Sequence, residues 1–305
     1  LKSSTSTTYH LVQYFEKAHG NFPVYRNTDV TFLPTGEAFF EKMKEELLKA
    51  KKYIFLEFFI IDEGIMWGEI LSILEQKVEE GVEVRILYDG MIEITKLSFD
   101  YTKRLEKIGI KAKAFSPISP FISTYYNYRD HRKIVVIDGV VGMTGGVNLA
   151  DEYINHIELF GHWKDSGIML KGKAVDSFLL LFLQMWSITE EKMLVAPYLG
   201  VHDDLVENEG YVIPYGDSPL DTDKVGENVY IDILNHAREY VYIMTPYLIL
   251  DSELEHAIQF AAERGVDVRI IMPGIPDKPI PYALAKTYYQ ALTKSGVKIY
   301  EYTPG

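Results

Sequence analysis

One local sequence unit occurs twice in this chain of 305 residues, and the repeat constrains the possible folds more than any other feature. Residues 81–86 (GVEVRI) recur as residues 265–270 (GVDVRI), and residues 105–110 (LEKIGI) recur as residues 292–297 (LTKSGV). The tripeptide FSP follows the first copy, and YTP follows the second. A repeat of this length predicts two copies of one α/β unit rather than a solenoid of small repeats. The alternative is convergence of two similar helix–strand units.

The hydrophobic spacing alternates between that of helices and that of buried strands in both halves. It predicts an α/β fold of two repeated units, with mixed sheets flanked by helices and an incomplete second unit. The predicted domains are an amphipathic tail at residues 1–27, a first unit at 28–205 and a second unit at 206–305. Strands are predicted at residues 53–61, 82–88, 111–115, 132–137, 240–247, 266–272 and 297–302, and helices at residues 37–52, 65–80, 101–108, 229–239, 254–264 and 282–294.

The composition limits the classes of function. The net charge of −13 weighs against a nucleic-acid-binding protein, which usually carries a basic surface. The absence of cysteine excludes disulfides and thiolate metal sites, and it fits a reducing compartment. No apolar run reaches the length of about 18 residues that a spanning helix needs. Because the chain begins with Leu1, we expect a fragment or a processed chain, with any membrane anchors upstream.

The candidate chemistry lies in one segment, where His131, Lys133 and Asp138 form the pattern H-x-K-x4-D. Residues 132–137 are predicted as a strand because they contain the apolar, β-branched run 134–137, and this places His131 and Lys133 on one face. In that position His131 is a candidate nucleophile or acid/base, and Lys133 supplies positive charge against a phosphate. Asp138 is counted with the catalytic residues of the motif, although the Asp138–Gly139 pair predicts a hairpin turn and favours a structural role.

A second pattern, G-G-x-N, follows at Gly145, Gly146 and Asn148. Asn148 offers amide donors to a phosphate oxygen, and the two glycines permit close approach of the backbone to a phosphate. The alternatives are a helix N-cap for Asn148 and a simple turn for the glycines. The first pattern alone is weak, but the composite of both is strong, since a chance match is expected in about one chain in 10⁵.

These residues resemble the HKD signature of the phospholipase D superfamily, and further stretches resemble its cardiolipin synthase branch. The resemblance runs from about residue 20 to the end of the chain. The stretches that carry it are residues 127–133 (NYRDHRK), 145–153 (GGVNLADEY), 163–172 (WKDSGIMLKG), 182–186 (FLQMW), 245–247 (TPY) and 272–278 (MPGIPDK).

The resemblance implies two HKD motifs, one in each half, that meet at a single site. One histidine attacks phosphorus and forms a phosphohistidine, and the other protonates the leaving alcohol and later activates the acceptor. A cardiolipin synthase joins two molecules of phosphatidylglycerol and releases glycerol, without a metal or another cofactor. The expected partners are therefore phosphatidylglycerol and membrane phospholipid, with no nucleic acid, and the expected location is the bacterial cell membrane.

Three further residues are expected to support the site. Asp165 matches an acidic position that orients an active-site histidine in the family, and Glu57 and Tyr247 match positions near the site. Glu57 also lies in an otherwise apolar strand, where an unpaired charge is costly. The alternatives are a surface aspartate for Asp165 and ordinary strand-end positions for Glu57 and Tyr247.

The chain departs from the family pattern in its second half, which contains no second H-x-K-x4-D. His162 and Lys164 begin such a pattern, but Met169 stands where the aspartate is required. We therefore expect a chain that is truncated before its second motif, with an exposed sheet edge and little activity on its own.

Other functions fit parts of the sequence. The nearest alternative is a phospholipase D-type hydrolase with water as acceptor. A nuclease of the same superfamily and a non-catalytic phospholipid-binding scaffold are further alternatives, and the acidic charge weighs against the nuclease. A metal site would use an acidic and histidine-rich cluster whose spacing matches no known ligand motif. That cluster consists of Asp151, Glu152, His156, Glu158 and His162.

Overall fold

The structure of the chain is a computed structural model that describes residues 7–18, 21–116, 129–200, 210–217 and 223–305. Residues 127–128 of the resemblance and Pro117, the proline of the first repeated tripeptide, lie outside the described residues. The chain divides into two compact units. The larger unit comprises residues 23–158 and 163–214, and the smaller unit comprises residues 1–22, 159–162 and 215–305.

The larger unit contains seven strands and five α-helices within its described residues. The strands are β1 (Thr28–Leu33), β2 (Tyr53–Phe58), β3 (Glu83–Asp89), β4 (Lys111–Phe115), β5 (Ile134–Ile137), β6 (Val141–Gly145) and β7 (Gly167–Gly172). The helices, numbered along the whole chain, are α2 (Gly36–Lys49), α3 (Ile65–Glu79), α4 (Ile92–Thr95), α5 (Tyr101–Lys107) and α6 (Val175–Trp186).

These strands form one mixed sheet in the order β1-β7-β6-β5-β2-β3-β4. Strands β2, β3 and β4 are parallel, and β5 pairs antiparallel with β2. Alternate side chains of β2 enter two separate hydrophobic cores, Leu56 on the side of α2 and α3 and Phe55 on the side of α6. The ring of Phe55 stacks on Phe182 of α6 at a centroid distance of 4.9 Å. A sheet covered on both faces confirms the predicted α/β class.

The smaller unit repeats the central part of this arrangement. Its elements are α1 (Thr7–Lys17), α7 (Val225–His236), β8 (Tyr240–Met244), α8 (Ser252–Glu263), β9 (Asp267–Pro273), α9 (Pro279–Lys294) and β10 (Lys298–Tyr302). The three strands form a parallel sheet in the order β10-β9-β8, with helices α8 and α9 between consecutive strands, as helices lie between β2, β3 and β4. The repeated sequence stretches therefore occupy equivalent elements.

The two sheets differ in how far they are covered. Strand β2 is buried along its whole length between β3 and β5. Among the described strands its counterpart β8 lies at an edge, and Tyr240, Tyr242 and Met244 on one of its faces are each more than half exposed. None of the helices among the described residues is both long and apolar enough to cross a bilayer.

Candidate active site

The H-x-K-x4-D motif lies where the chain enters β5. Residues 129–133 precede the strand, which begins at Ile134, two residues later than predicted. Ile134 pairs with Glu57 near the end of β2. The motif histidine and lysine therefore lie beside the carboxyl end of a parallel strand, where α/β proteins commonly bind ligands.

The side chains of His131 and Lys133 lie together. The ammonium nitrogen Nζ of Lys133 is 3.2 Å from Nδ1 of His131, and it donates a hydrogen bond of 2.6 Å to the carbonyl oxygen of His131. The ring of Phe59 packs against both groups, 4.7 Å from the His131 ring and 5.5 Å from Lys133 Nζ. Phe59 follows β2 in sequence, and no motif indicated its place here. His131 is exposed, so its imidazole can reach a substrate.

Burial changes the protonation of Lys133, whose side chain is only 4% exposed. Loss of solvent lowers the pKa of Lys133 to about 8, against the opposing charges of Asp130 and Asp165. At pH 7 the amine is therefore mostly protonated, but it loses its proton at a lower pH than an ordinary lysine does. An anionic phosphate placed beside it favours the charged form, so binding of the phosphate would draw a proton onto this lysine.

Asp165 faces this lysine from the segment before β7. Its carboxylate accepts hydrogen bonds from the backbone N–H of Ser166 at 2.7 Å and from Nε1 of Trp163 at 3.4 Å. Burial raises the pKa of Asp165, although these bonds and the charge of Lys133 act in the opposite direction. The predicted role of Asp165 in orienting a histidine stays a prediction.

Gly145 and Gly146 leave room for neighbouring polar groups. A Cβ atom at residue 145 would lie 2.5 Å from the carbonyl oxygen of Ser166, and one at residue 146 would lie 2.3 Å from Oδ1 of Asp165. Both glycines are thus explained by close approach of β6 to the segment before β7. Their predicted approach to a phosphate stays a prediction.

Replacing Gly146 with alanine is expected to displace the Asp165 carboxylate and lower the free energy of unfolding by about 1–2 kcal/mol. Gly68 in α3 is the matched control, because a Cβ there meets nothing within 4 Å. Gly68→Ala should stabilise the helix by up to about 1 kcal/mol. Urea unfolding of both variants checks the pair, and equal stability of Gly146→Ala and wild type would contradict the close contact.

Asn148 is almost fully buried and ties two loops together. Its Oδ1 accepts a hydrogen bond from the backbone N–H of Ile60 at 3.0 Å, and its Nδ2 donates to the hydroxyl of Tyr153 at 2.8 Å. The alternative role as a helix N-cap is wrong, because the short 3₁₀ helix Asp151–Ile154 begins after Ala150. The Tyr153 bond uses one of the two Nδ2 hydrogens, so contact with a phosphate stays a prediction.

Asp138 lies at the opposite end of β5 from Lys133, in the predicted turn. Asp138 and Gly139 have φ values of 54° and 67°, and Val140 N–H closes the turn on the carbonyl oxygen of Ile137. The carboxylate accepts three hydrogen bonds of 2.8 Å from the backbone N–H groups of residues 51–53. These bonds fasten the hairpin to the start of β2, which favours a structural role for this member of the motif.

The remaining predicted residues fall in two places. Glu57 is fully buried in β2, and its Oε1 lies 2.8 Å from Nε of Arg132. Tyr247 belongs to the smaller unit, where its hydroxyl donates to Asp277 and its ring lies 5.1 Å from Nζ of Lys278. Its predicted place near the site stays a prediction.

Two residues of the acidic and histidine-rich cluster make structural hydrogen bonds in different parts of the chain. Asp151 accepts hydrogen bonds from the backbone N–H groups of Ile65 and Met66, at 3.0 and 2.8 Å, and so caps α3. His162 belongs to the smaller unit, where Nδ1 is 3.0 Å from the hydroxyl of Tyr302. These contacts explain two of the five residues without a metal.

Comparison with known proteins gives the family. The profile described as cardiolipin synthase, phospholipase D-like domain, matches residues 43–186 and 230–305. The chain belongs to this family. The first matched stretch of the cardiolipin synthase family includes the whole H-x-K-x4-D motif, Asn148 and Asp165. The resemblance to the phospholipase D superfamily is thereby confirmed.

Individual relatives agree with this assignment. A cardiolipin synthase of Halalkalibacterium halodurans is 37% identical over 295 residues, which are 95% of this chain and 58% of the relative. An uncharacterized protein of Streptococcus mutans is 70% identical over 305 residues, which are 100% of this chain and 66% of the relative. The chain thus spans less than two thirds of the length of the cardiolipin synthase that it matches.

A solved structure shows the same fold. The phosphatidylserine synthase of Haemophilus influenzae superposes with a TM-score of 0.64 at 17% identity, over 98% of this chain and 78% of that protein. At this identity the likeness concerns the fold alone.

Proposed function

We propose that this chain carries one half of the active site of a cardiolipin synthase-type phosphatidyltransferase. The observation that supports the proposal is the contact between the exposed imidazole of His131 and the buried ammonium group of Lys133, in a chain of the cardiolipin synthase family. The imidazole is a nucleophile for phosphorus, and the ammonium group offsets the charge that develops on the phosphoryl oxygens.

The proposed reaction has two displacements. A ring nitrogen of His131 attacks the phosphorus of one phosphatidylglycerol, the bond from phosphorus to the glycerol headgroup oxygen breaks, and a general acid protonates the departing oxygen. The headgroup hydroxyl of a second phosphatidylglycerol then attacks phosphorus and loses its proton to the same group. The bond from phosphorus to nitrogen breaks, and cardiolipin and glycerol are the products. Because both substrates are bilayer lipids, the reaction is placed at a membrane surface.

The role of His131 can be tested with a p-nitrophenyl phosphodiester, whose phenolate departs without protonation. The chain should release a burst of about one equivalent of p-nitrophenolate and retain an acid-labile phosphoryl group. His131→Gln should abolish the burst. His156→Gln, which changes an exposed histidine of the same unit, should leave it intact. A burst that persists in His131→Gln would contradict the assignment of the nucleophile.

The acceptor can be tested separately by product analysis with phosphatidylglycerol vesicles. Cardiolipin as the product supports phosphatidyl transfer, whereas phosphatidic acid without cardiolipin supports a hydrolase. The assay is to be run on the 305-residue chain and on the same chain mixed with a polypeptide that supplies a second H-x-K-x4-D motif. Binding of the vesicles without either product, together with no burst, would support a non-catalytic scaffold.

A further inference from the structure

Two buried carboxyl groups lie in contact directly behind the motif. Glu57 is 0% exposed and Asp130 is 4% exposed, and their carboxyl groups are within hydrogen-bonding contact. Nε of Arg132 lies between them, 2.8 Å from Oε1 of Glu57 and 3.2 Å from Oδ1 of Asp130. Both oxygens of Glu57, Oδ2 of Asp130 and Nη2 of Arg132 are buried and make no hydrogen bond with any described residue.

Two ionised carboxylates in this position would be unfavourable, because like charges repel strongly where solvent is excluded. A single proton removes the conflict. If Glu57 is protonated, its O–H can donate to the carboxylate of Asp130, and one hydrogen bond then joins the two groups. Burial also raises the pKa of Glu57 well above its ordinary value and Asp130 acts in the same direction, although Arg132 opposes them.

The surrounding charges balance when Glu57 is neutral. Among the described residues of the neighbouring elements, β5 is entirely apolar, and β3 brings the carboxylate of Asp89 against the backbone N–H of Asp130. Three positive groups then face three negative ones. Arg129 pairs with Asp89 and Arg132 pairs with Asp130, whereas the charges of Asp130 and Asp165 both act on Lys133.

We propose that Glu57 holds a proton that it donates to Asp130, and that this carboxyl pair positions the segment that presents His131 and Lys133. Asp130 is the link between the pair and the motif. Its backbone N–H donates to Oδ2 of Asp89 at 3.0 Å, and its Oδ1 accepts the backbone N–H of Arg132 at 3.3 Å. Its single negative charge also acts on Lys133. The positioning role rests on the proposed function, whereas the shared proton does not.

The proton can be detected by infrared spectroscopy. Wild type at pH 7 should show the C=O stretching band of a protonated carboxylic acid, and Glu57→Gln should remove it. Glutamine keeps the shape of the side chain and donates an N–H to Asp130, so this variant should fold. Glu46 is the matched control, because it is equally buried but lies 3.0 Å from both Lys49 and Lys171. Glu46→Gln should leave the band unchanged, and absence of the band from wild type would overturn the proposal.

The position of the charge can be measured by NMR titration of Lys133, assigned with Lys133→Arg. Asp130→Asn removes a negative charge and should lower the pKa of Lys133 by about 0.5–1 unit. Glu57→Gln replaces a neutral group and should change it by less than about 0.2 units. An equal decrease of the Lys133 pKa in both variants would show that Glu57 is ionised and would overturn the shared proton. An unchanged Lys133 pKa in Asp130→Asn would show that the charge of Asp130 does not reach the motif. Neither measurement uses lipid or turnover, so a failure of the proposed function would leave these results unaffected.

Discussion

Lys133→Met is expected to make the protein more stable while it removes the charge that would bind a phosphate. The difference between the ordinary lysine pKa of 10.5 and a value of about 8 corresponds to roughly 3 kcal/mol of unfavourable free energy in the folded state. Methionine avoids this cost but loses the hydrogen bond to the His131 carbonyl oxygen. The net gain in the free energy of unfolding at pH 7 should be about 1–2 kcal/mol. Urea unfolding measures it.

The stability gained by Lys133→Met should decrease as pH rises above about 8. Because the folded-state pKa is lowered, the cost of the charged lysine is fully present below pH 8. Between about 8 and 10.5 the unfolded chain holds a proton that the folded protein has lost, so wild type becomes more stable as pH rises. The advantage of Lys133→Met should therefore shrink over this range. Lys103→Met, at an exposed position of α5, is the control and should show no such trend. A variant less stable than wild type at pH 7 would show that the ammonium group stabilises the fold.

Asp138→Ala is expected to lower the free energy of unfolding by about 3 kcal/mol or more. The substitution removes the acceptor of three backbone N–H groups and places alanine at a φ of 54°. Hydrogen bonds to a charged acceptor contribute more than neutral ones, and alanine is strained in the left-handed region. Chemical unfolding followed by circular dichroism is the measurement.

The graded control is Asp138→Asn. Asparagine tolerates the positive φ and keeps one carbonyl oxygen. Asp138→Asn should therefore lower the free energy of unfolding by only about 1 kcal/mol. Asp29→Ala, at an exposed position of β1, should be close to neutral. If Asp138→Ala were as stable as wild type and lost only the p-nitrophenolate burst, the catalytic role implied by the motif would replace the structural one.

Much of the fold could be predicted because helices and strands alternate with distinct periods. The strand at residues 111–115 was predicted with its observed bounds, and α3 was predicted to within one residue. Strands β1 and β7 and helix α6 were missed. Helix α6 (VDSFLLLFLQMW) is apolar on most sides because it is buried against the sheet, and such a run does not reveal its period. Helix α8 begins at Ser252, two residues before its predicted start, because Asp251 caps it by accepting from Leu254 N–H at 2.9 Å.

The candidate site was predictable only where its residues are close in sequence. The spacing of H-x-K brought His131 and Lys133 together, although both precede the observed strand, which begins at Ile134. The chain there is held by side-chain bonds, such as that of Lys133 to the His131 carbonyl oxygen, rather than by strand pairing. Phe59 and the partnership of Glu57 with Asp130 depend on the pairing of β2 with β5, which no local pattern specifies.

The uneven covering of the two sheets has a consequence for hydrogen exchange. Amide protons of β2 are shielded by strands on both sides and by side chains above and below, so they should exchange only when the larger unit unfolds as a whole. Those of β8 that point away from β9 have no described strand beside them, and three of its five side chains are open to solvent. Deuterium should therefore enter β8 well before β2, which would report the smaller unit as a separate and weaker cooperative element.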